Sequence, residues 1–405
     1  MRVLIYTHEF PPFLGGLATA SYKLVKGISQ AGIKTVVLAP SYSSKDGEID
    51  KILKCKIIRI PLLRKIKRLR YPGTLVGYLL GWTFFALTVF REKPDIVLFI
   101  SEEAEVVGGL LPTFPFKPIV RVAGSGVTTH FLGNQARKKL LRLPMLRLYK
   151  KALVIAAASH FTKELLEKID IPRDKITVIY NGVEKYMIHR EPNRKKIEEL
   201  RKKLGIGKED KILLTVARIL PRKGQDTVIR ALPKVLSRYS RVKYIVVGEG
   251  KYKGNFKRLA KEIKISDNVI FTGGVPHEET INFYDLCDIF IMPNRFWNDK
   301  VEGLPNALLE ASARGKPVIA GANGGSKEAV KHGITRFLVN SEDIEEIAGV
   351  ILDLLENEKK ARTMGENGKQ MIRQIFTEEI MINNYVKILN DSTKKQTTPA
   401  LDSFK

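Results

Sequence analysis

Short, nearly continuous runs of Val, Ile and Leu alternate with helix-length segments along this chain, and the pattern runs through twice. The first set reads as strands at Arg2–Tyr6, Lys34–Ala39, Ile57–Ile60, Asp95–Ile100, Pro118–Val122, Leu153–Ala158 and Ile176–Tyr180. Helix-like stretches such as Leu17–Gln30 and Gly133–Lys151 lie between them. A charge-rich stretch from Asn181 to about Glu209, with Pro192 inside it, interrupts the pattern. It restarts with Lys211–Ala217, Lys243–Gly248, Asn268–Thr272, Asp288–Met292, Pro317–Ala320 and Phe337–Asn340, separated by helical stretches that include Gly224–Arg238 and Asn306–Arg314. A strand that is apolar on both sides is buried on both faces, and helical crossovers cover both faces of a parallel sheet. The expected fold class is α/β: two Rossmann-like, doubly wound parallel-sheet domains facing a cleft and joined near residue 182. The length of 405 residues suits two or three domains. Terminal helices are expected over residues 342–390, followed by a frayed tail. Doubly wound sheets bind ligands beyond the carboxyl ends of their strands, where the strand order reverses. The strand-to-helix turns are therefore where chemistry is expected.

Charge narrows the partners. Sixty-nine Lys and Arg stand against 43 Asp and Glu, a net charge of +26. Residues 1–180 hold 29 basic and 13 acidic residues, so the excess is denser in the first half. Such a field attracts anions: phosphorylated substrates, anionic lipid or nucleic acid. No nucleic-acid module with interleaved aromatics is evident, so nucleic acid is not an expected partner. Cys55 and Cys287 form neither a disulfide framework nor a metal knuckle, which fits a reducing cytoplasm. The apolar run Val3–Tyr6 is too short for a signal-peptide core. Thr74–Phe90 is uncharged over 17 residues, at the lower limit for a membrane span. A buried helix between two strands is the expected reading, with a surface-dipping helix as the alternative.

Four turns carry chemical groups. THEFPPFLGG follows the first strand and ends in Gly15-Gly16, where a backbone without side chains lets N–H groups approach an anion at a helix start. It lacks the spacing of a dinucleotide fingerprint. In ARILPRKGQD, Arg218 ends a strand and Lys223 follows five residues later, two cations suited to clamp a diphosphate. In EGLPNALLEASARGKPVIA, Glu302 lies in a loop and Glu310 lies eight residues on. Pro305 fits the first helical position, which leaves the N–H groups of Asn306 and Ala307 pointing outward as an anion site. ANGGSKEAV carries Gly324-Gly325, a further close-approach turn. Taken singly, each also reads as a plain tight turn or a solvated charge.

In this order the motifs resemble the retaining glycosyltransferases of family 4, with the two-domain glycosyltransferase-B fold. The matching segments are PPFLGG, TVIYNGVE (177–184), ARILPRKGQD, VGEG (247–250), the Glu-x7-Glu segment and the Gly-Gly turn, and they span nearly the whole chain. The resemblance implies an acceptor-binding domain over 1–182 and a nucleotide-sugar-binding domain over 183–375. It implies a helix over 376–390 that crosses back to the first domain, leaving 391–405 as a tail. It implies that Gly15 and Gly16 approach the donor phosphates, and that Arg218 and Lys223 bind the diphosphate. Glu302 would hold hydroxyls of the donor sugar, with Gly303, Leu304, Asn306 and Ala307 in the same donor-binding turn. Glu310 would hold the ribose, and backbone near Val275 would receive the base. The implied reaction moves a hexose from a UDP- or GDP-sugar to a glycan, lipid-linked or small-molecule acceptor. It proceeds by front-face retention, with the leaving phosphate accepting the proton of the attacking hydroxyl. No cofactor and no metal are expected, in keeping with the lack of a DxD-type acidic pair at a strand end.

The chain departs from the family pattern in places. Many relatives carry a His in the turn after the strand at Pro118–Val122, where this chain reads RVAGSGVTTH with Ala123-Gly124 near that place. His130 lies several residues later and is a candidate sugar or acceptor contact, with a helix-flanking surface His as the plainer reading. Arg64–Arg70 carries five cations, and RKKLLRLPMLRLYKK (137–151) carries seven among apolar residues, broken at Pro144. An anionic membrane surface is thus an expected partner, and a peripheral position at the inner membrane face an expected location. The competing readings are a nucleotide-sugar 2-epimerase on the same fold and a non-catalytic partner of a transferase complex.

Overall fold

A computed structural model describes residues 1–13, 15–43, 46–61, 75–133, 140–328, 333–335 and 337–394. The Arg64–Arg70 cluster, Thr74, the start of the basic 137–151 stretch and the tail beyond 394 lie outside the described residues. The chain divides into two compact units, Met1–Tyr180 with Glu379–Lys405, and Asn181–Glu378.

The first unit is built on seven parallel strands: β1 (Arg2–Tyr6), β2 (Lys34–Pro40), β3 (Lys56–Ile60), β4 (Ile96–Phe99), β5 (Lys117–Val122), β6 (Val154–Ala157) and β7 (Ile176–Val178). Their spatial order is β3-β2-β1-β4-β5-β6-β7, so the order reverses between β1 and β4. Helices α1 (Gly16–Gln30), α2 (Asp46–Ile52), α3 (Leu75–Glu92), α4 (Glu102–Gly109), α5 (Arg142–Lys151) and α6 (His160–Glu167) connect them. The period-2 alternation of a strand divides the core. Leu4 and Tyr6 of β1 pack on one face with Phe85, Val107 and Leu148, and Val3 and Ile5 pack on the other with Leu24, Val25 and Ile28. Helix α5 is tied to α4 by Tyr149, whose hydroxyl donates to Glu105 at 2.5 Å. Pro144 does not break α5: it lies in the first turn, where its missing N–H falls among groups without intrahelical partners.

The second unit carries six parallel strands: β8 (Lys211–Val216), β9 (Val242–Val247), β10 (Val269–Gly273), β11 (Ile289–Met292), β12 (Val318–Gly321) and β13 (Phe337–Val339). They stand in the order β10-β9-β8-β11-β12-β13, which reverses between β8 and β11. Its helices are α7 (Arg194–Lys203), α8 (Gln225–Arg238), α9 (Lys253–Glu262), α10 (Thr280–Leu286), α11 (Asn306–Ala313), α12 (Ile344–Glu356) and α13 (Glu358–Ile375). Arg314, after α11, pairs with Asp285 of α10 at 2.7 Å and donates to the carbonyls of Met187 and Arg190.

Three details differ from the sequence reading. The units divide at Tyr180–Asn181 instead of at 182. Val183 donates to the carbonyl of Phe376 at 2.8 Å and accepts from Glu378 at 3.0 Å, which ties Asn181–Glu184 to the second unit. The charge-rich stretch after Asn181 is not a plain linker, since it holds α7. That helix has no fully buried residue, and its apolar side is only Ile197 and Leu200, half-buried among Lys, Arg and Glu. Its start is marked by Asn193, which accepts from the Lys196 N–H, and its end by Arg201, Lys202 and Lys203 beside the last carbonyls. Third, α3 is not a buried helix. Gly77, Gly81, Phe85, Thr88 and Val89 are buried, whereas Leu75, Leu79, Trp82, Leu87 and Phe90 face solvent. Among the described residues, no helix is long and apolar enough to cross a membrane.

The last helix, α14 (Glu378–Lys394), lays Met381, Tyr385 and Leu389 into the core of the first unit. Its approach to α1 leaves no room at Gly27, where a Cβ would lie 2.2 Å from Ile382 Cδ1. Gly27→Ala is expected to cost about 1–3 kcal/mol by overpacking and to lower the melting temperature. Gly254→Ala, in an open helical position, should leave stability unchanged or raised by about 0.5–1 kcal/mol. Calorimetry of the two variants checks this.

Candidate functional site

Strand β8 is one of the two strands at which the order of the second sheet reverses, and its carboxyl end leads into the turn 217–224. A single helical turn, Pro221–Lys223, is closed by Gly224, which adopts a left-handed conformation (φ 77°) and begins α8. Only glycine fits there: a Cβ would lie 2.2 Å from the carbonyl oxygen of Pro293. The turn presents Arg222 and Lys223 side by side, both nearly buried, while Arg218 remains exposed.

The loop from Pro293 to Pro305 leaves β11, the other strand at the reversal. Buried Asn294 anchors it, accepting from Ser326 through its side chain (2.9 Å) and from Ser341 through its carbonyl (2.7 Å). Arg295 pairs with Asp226 at 2.7 Å and donates to Thr227 at 2.7 Å, and its N–H donates to the carbonyl of Arg222. The N–H of Gly325, in the Gly-Gly turn, donates to the Glu302 carbonyl at 3.0 Å. So held, the Glu302 carboxylate meets Lys223 Nζ at 3.0 Å and Arg222 Nε at 3.1 Å. Burial pushes its pKa up, but Lys223 and Arg222 outweigh that and hold it at about 2. Burial lowers the Lys223 pKa, the neighbouring Arg222 adds to this, and Glu302 opposes both. The expected sugar-holding carboxylate is thus an ion-pair partner of the expected diphosphate cation.

Helix α11 starts at Asn306, with Pro305 as the residue before it instead of its first residue, and no side chain caps it. Gly303 and Leu304 are buried beneath this start, and Asn306 and Ala307 are half-exposed. Asn181, from the NGVE segment, donates to Asn306 Oδ1 at 2.8 Å and fixes that side chain. Glu310, one turn on, is buried and accepts from Tyr284 at 2.7 Å. Its carboxylate lies beside His277, which contacts Glu184 at 3.1 Å. Glu184, His277 and Glu310 offer ligand atoms within 4.8 Å of one another, a group with the composition of a cation site among the described residues. Val275 is half-buried on the loop just past β10, two residues from His277.

In the first unit, Gly15 precedes α1 and Gly16 opens it, again without a side-chain cap. A Cβ on Gly15 would lie 3.5 Å from the Glu9 carboxylate, so that turn carries an acid as well as open N–H groups. His8, after β1, is buried, bonds Tyr6 through Nε2 at 2.7 Å, and is held neutral by burial, with its pKa at about 3. His130 is not a surface residue. It lies buried in the irregular helical segment Thr128–Leu132, with Nε2 3.3 Å from Glu102.

Comparison with known proteins gives this geometry a family. The model described as Glycosyltransferase Family 4 matches residues 14–185, and that described as Glycosyl transferases group 1 matches residues 196–371. The chain is 30% identical over 381 residues to a GDP-mannose-dependent alpha-(1-6)-phosphatidylinositol monomannoside mannosyltransferase of Mycobacterium tuberculosis, covering 92% of this chain and 93% of that one. The chain belongs to glycosyltransferase family 4. It is also 26% identical to the alpha-monoglucosyldiacylglycerol synthase of Streptococcus pneumoniae, over 98% of this chain and 90% of that one. Among solved structures, HepE of Anabaena in complex with UDP-glucose superposes with a TM-score of 0.80 at 19% identity, covering 96% of this chain and 100% of the other. The fold is glycosyltransferase-B.

Three residues of this glycosyltransferase's candidate site escaped the sequence reading. Arg222 stands next to Lys223 without a spacing signal of its own, Arg295 anchors the Glu302 loop, and Tyr284 holds Glu310 from another helix. Arg222 alone had a signal, a second cation in the same Pro-Arg-Lys-Gly turn.

A carboxyl held at about 2 in the folded chain, against an ordinary value near 4.3, stabilises above the ordinary value. That stability is lost as the pH falls through about 2. Glu302→Gln should be destabilised at pH 7 by about 3–5 kcal/mol, because two buried cations lose their partner. The gap to wild type should close between about pH 4.5 and pH 2. Melting temperatures of both proteins across that range check it, and a gap that does not vary with pH contradicts it.

Proposed function

We propose that this glycosyltransferase moves a hexose, with retention and without a metal, from a nucleoside diphosphate sugar to a lipid-linked acceptor. GDP-mannose is the proposed donor. The observation that carries the proposal is the Arg222–Glu302–Lys223 cluster, with exposed Arg218 near enough to act on Glu302 and the uncapped start of α11 next along the same loop. The three side-chain cations exceed the one carboxylate, and the helix start adds partial positive charge. The surplus is fixed in position before any ligand arrives, the arrangement that best stabilises charge developing on a leaving diphosphate.

In the proposed reaction the acceptor hydroxyl oxygen bonds to the anomeric carbon as the bond from that carbon to the diphosphate oxygen breaks. The hydroxyl proton passes to the leaving phosphate. Arg218 and Lys223 hold the diphosphate, Glu310 holds the ribose, backbone near Val275 receives the base, and Glu302 keeps Lys223 and Arg222 in place. Gly15 and Gly16, at the uncapped start of α1, are the first unit's candidate anion-binding turn. The mannosyltransferase relative uses GDP-mannose by name, and both curated relatives are named for lipid products or acceptors. Such an acceptor implies work at the inner face of a membrane.

Arg218 is exposed, so Arg218→Ala tests its charge without disturbing the core. The variant should lose about 10²–10³ in rate, about 2–4 kcal/mol of barrier, and Lys223→Ala should lose at least as much. In thermal-shift measurements GDP should stabilise the wild type more than UDP or ADP, and the double variant should show no shift. Stabilisation by UDP alone would replace the donor. Transfer should persist in EDTA, and the product should keep the donor's anomeric configuration by NMR. Loss of transfer on chelation would point instead to Glu184, His277 and Glu310 as a metal site.

A further inference from the structure

Helix α3 is apolar on both sides. Its inner side is buried in the first unit, while Leu75, Leu79, Trp82, Leu87 and Phe90 stay exposed at 76%, 59%, 38%, 47% and 77%. Their spacing along the helix places them on one side, and from Leu75 to Phe90 they make a stripe about 23 Å long, with exposed Thr83 among them donating its hydroxyl back to the Leu79 carbonyl. A water-facing helix of a globular domain carries polar residues on that side, as α7 does here. A contiguous apolar stripe marks a surface that something covers.

The surroundings say what covers it. At its far end Phe90 and Val89 open into a hollow of about 980 Å³ lined also by Phe114 and Phe116, with Lys93 and Lys117 in its wall. Helix α5 packs on α4, which packs on α3. It leaves Leu143 exposed at 73%, beside Leu140 at 77% and among exposed Arg142, Arg147, Lys150 and Lys151. A second copy of the chain would bring the same excess of cations to this face, and like charges repel. An anionic bilayer offers both an apolar layer and the opposite charge.

We infer that the outer faces of α3 and α5 seat the first unit on an anionic phospholipid membrane. The Leu, Trp and Phe side chains enter the boundary between headgroups and acyl chains, and the Arg and Lys side chains meet lipid phosphates. The inference rests on the proposed lipid-linked acceptor for its purpose and adds the surface by which the enzyme reaches it.

Flotation of the full chain tests it with phosphatidylglycerol vesicles and with phosphatidylcholine vesicles, at low and high salt. Wild type should float with phosphatidylglycerol at low salt and not with phosphatidylcholine. The variant Leu79→Glu, Trp82→Glu, Phe90→Glu should lose binding by about tenfold or more, with its nucleotide-induced thermal shift intact. Flotation of this variant equal to wild type overturns the inference, as does the failure of wild type to float. A wild-type dimer in light scattering that the variant turns into a monomer overturns it too, because the face would then join two copies. Flotation without transfer to any lipid acceptor removes the proposed function and leaves the surface standing. Transfer without flotation removes the surface alone.

Discussion

One carboxylate governs the second unit's binding edge. Arg222 and Lys223 lie adjacent on a single turn and are almost buried, an arrangement that is strongly unfavourable without a counter-charge. Glu302 supplies it, and the supply works only if the loop carrying Glu302 is held within about ion-pair distance. The ties along that loop follow from this need. Asn294 is fixed by Ser326 and Ser341, Arg295 by Asp226 and Thr227, and the Glu302 carbonyl by the Gly325 N–H. Even Gly224 belongs to the same requirement, because its left-handed turn lets the cation-bearing segment pass against Pro293 at the start of the loop.

Half-compensation is what makes such a cluster useful. A site of cations alone would repel itself and open, and a fully neutralised one would have no pull on an anion. Here one carboxylate stands among two buried cations and one exposed cation. The strand reversal between β8 and β11 brings both turns to the same edge of one sheet, so the charges converge without any long loop having to reach. Asn181 extends this economy by fixing Asn306 at the start of α11 from a segment at the very beginning of the unit.

The sheets were legible because burial on both faces leaves no polar positions in a strand. Each of the thirteen apolar runs became a strand, with ends moved by at most two residues. Helices with an apolar face were legible for the same reason. Helix α7 was not, since it buries no residue fully and its short apolar side, Ile197 and Leu200, is lost among charges, leaving its cap as the clearer signal. The site was legible where its chemistry is local. Lys223 and Glu302 were singled out, but their mutual pairing is a contact between turns 79 residues apart and left no pattern along the chain. Tyr284 and Arg295 were hidden similarly, each acting on a group from another element. His130 reads from its place beside a helix as a surface residue, whereas it is buried against Glu102.

The outer helix faces of the two units follow different rules, and that difference has physical content. In the second unit α7 meets water with Lys, Arg and Glu and keeps its Ile197 and Leu200 half-buried. In the first unit α3 also covers its sheet, with Phe85 inside, yet it presents Leu, Trp and Phe outward. Covering the sheet required only the inner side, so the outer apolar residues contribute nothing to the unit's own core. Their exposure favours association with any apolar surface, and the cations nearby decide among those surfaces by charge. The proposed donor site, assembled from short turns, and an apolar face bordered by cations therefore make separate demands on the chain. The first is met in the Asn181–Glu378 unit by charges held at one sheet edge, and the second in the other unit by what α3 leaves outside.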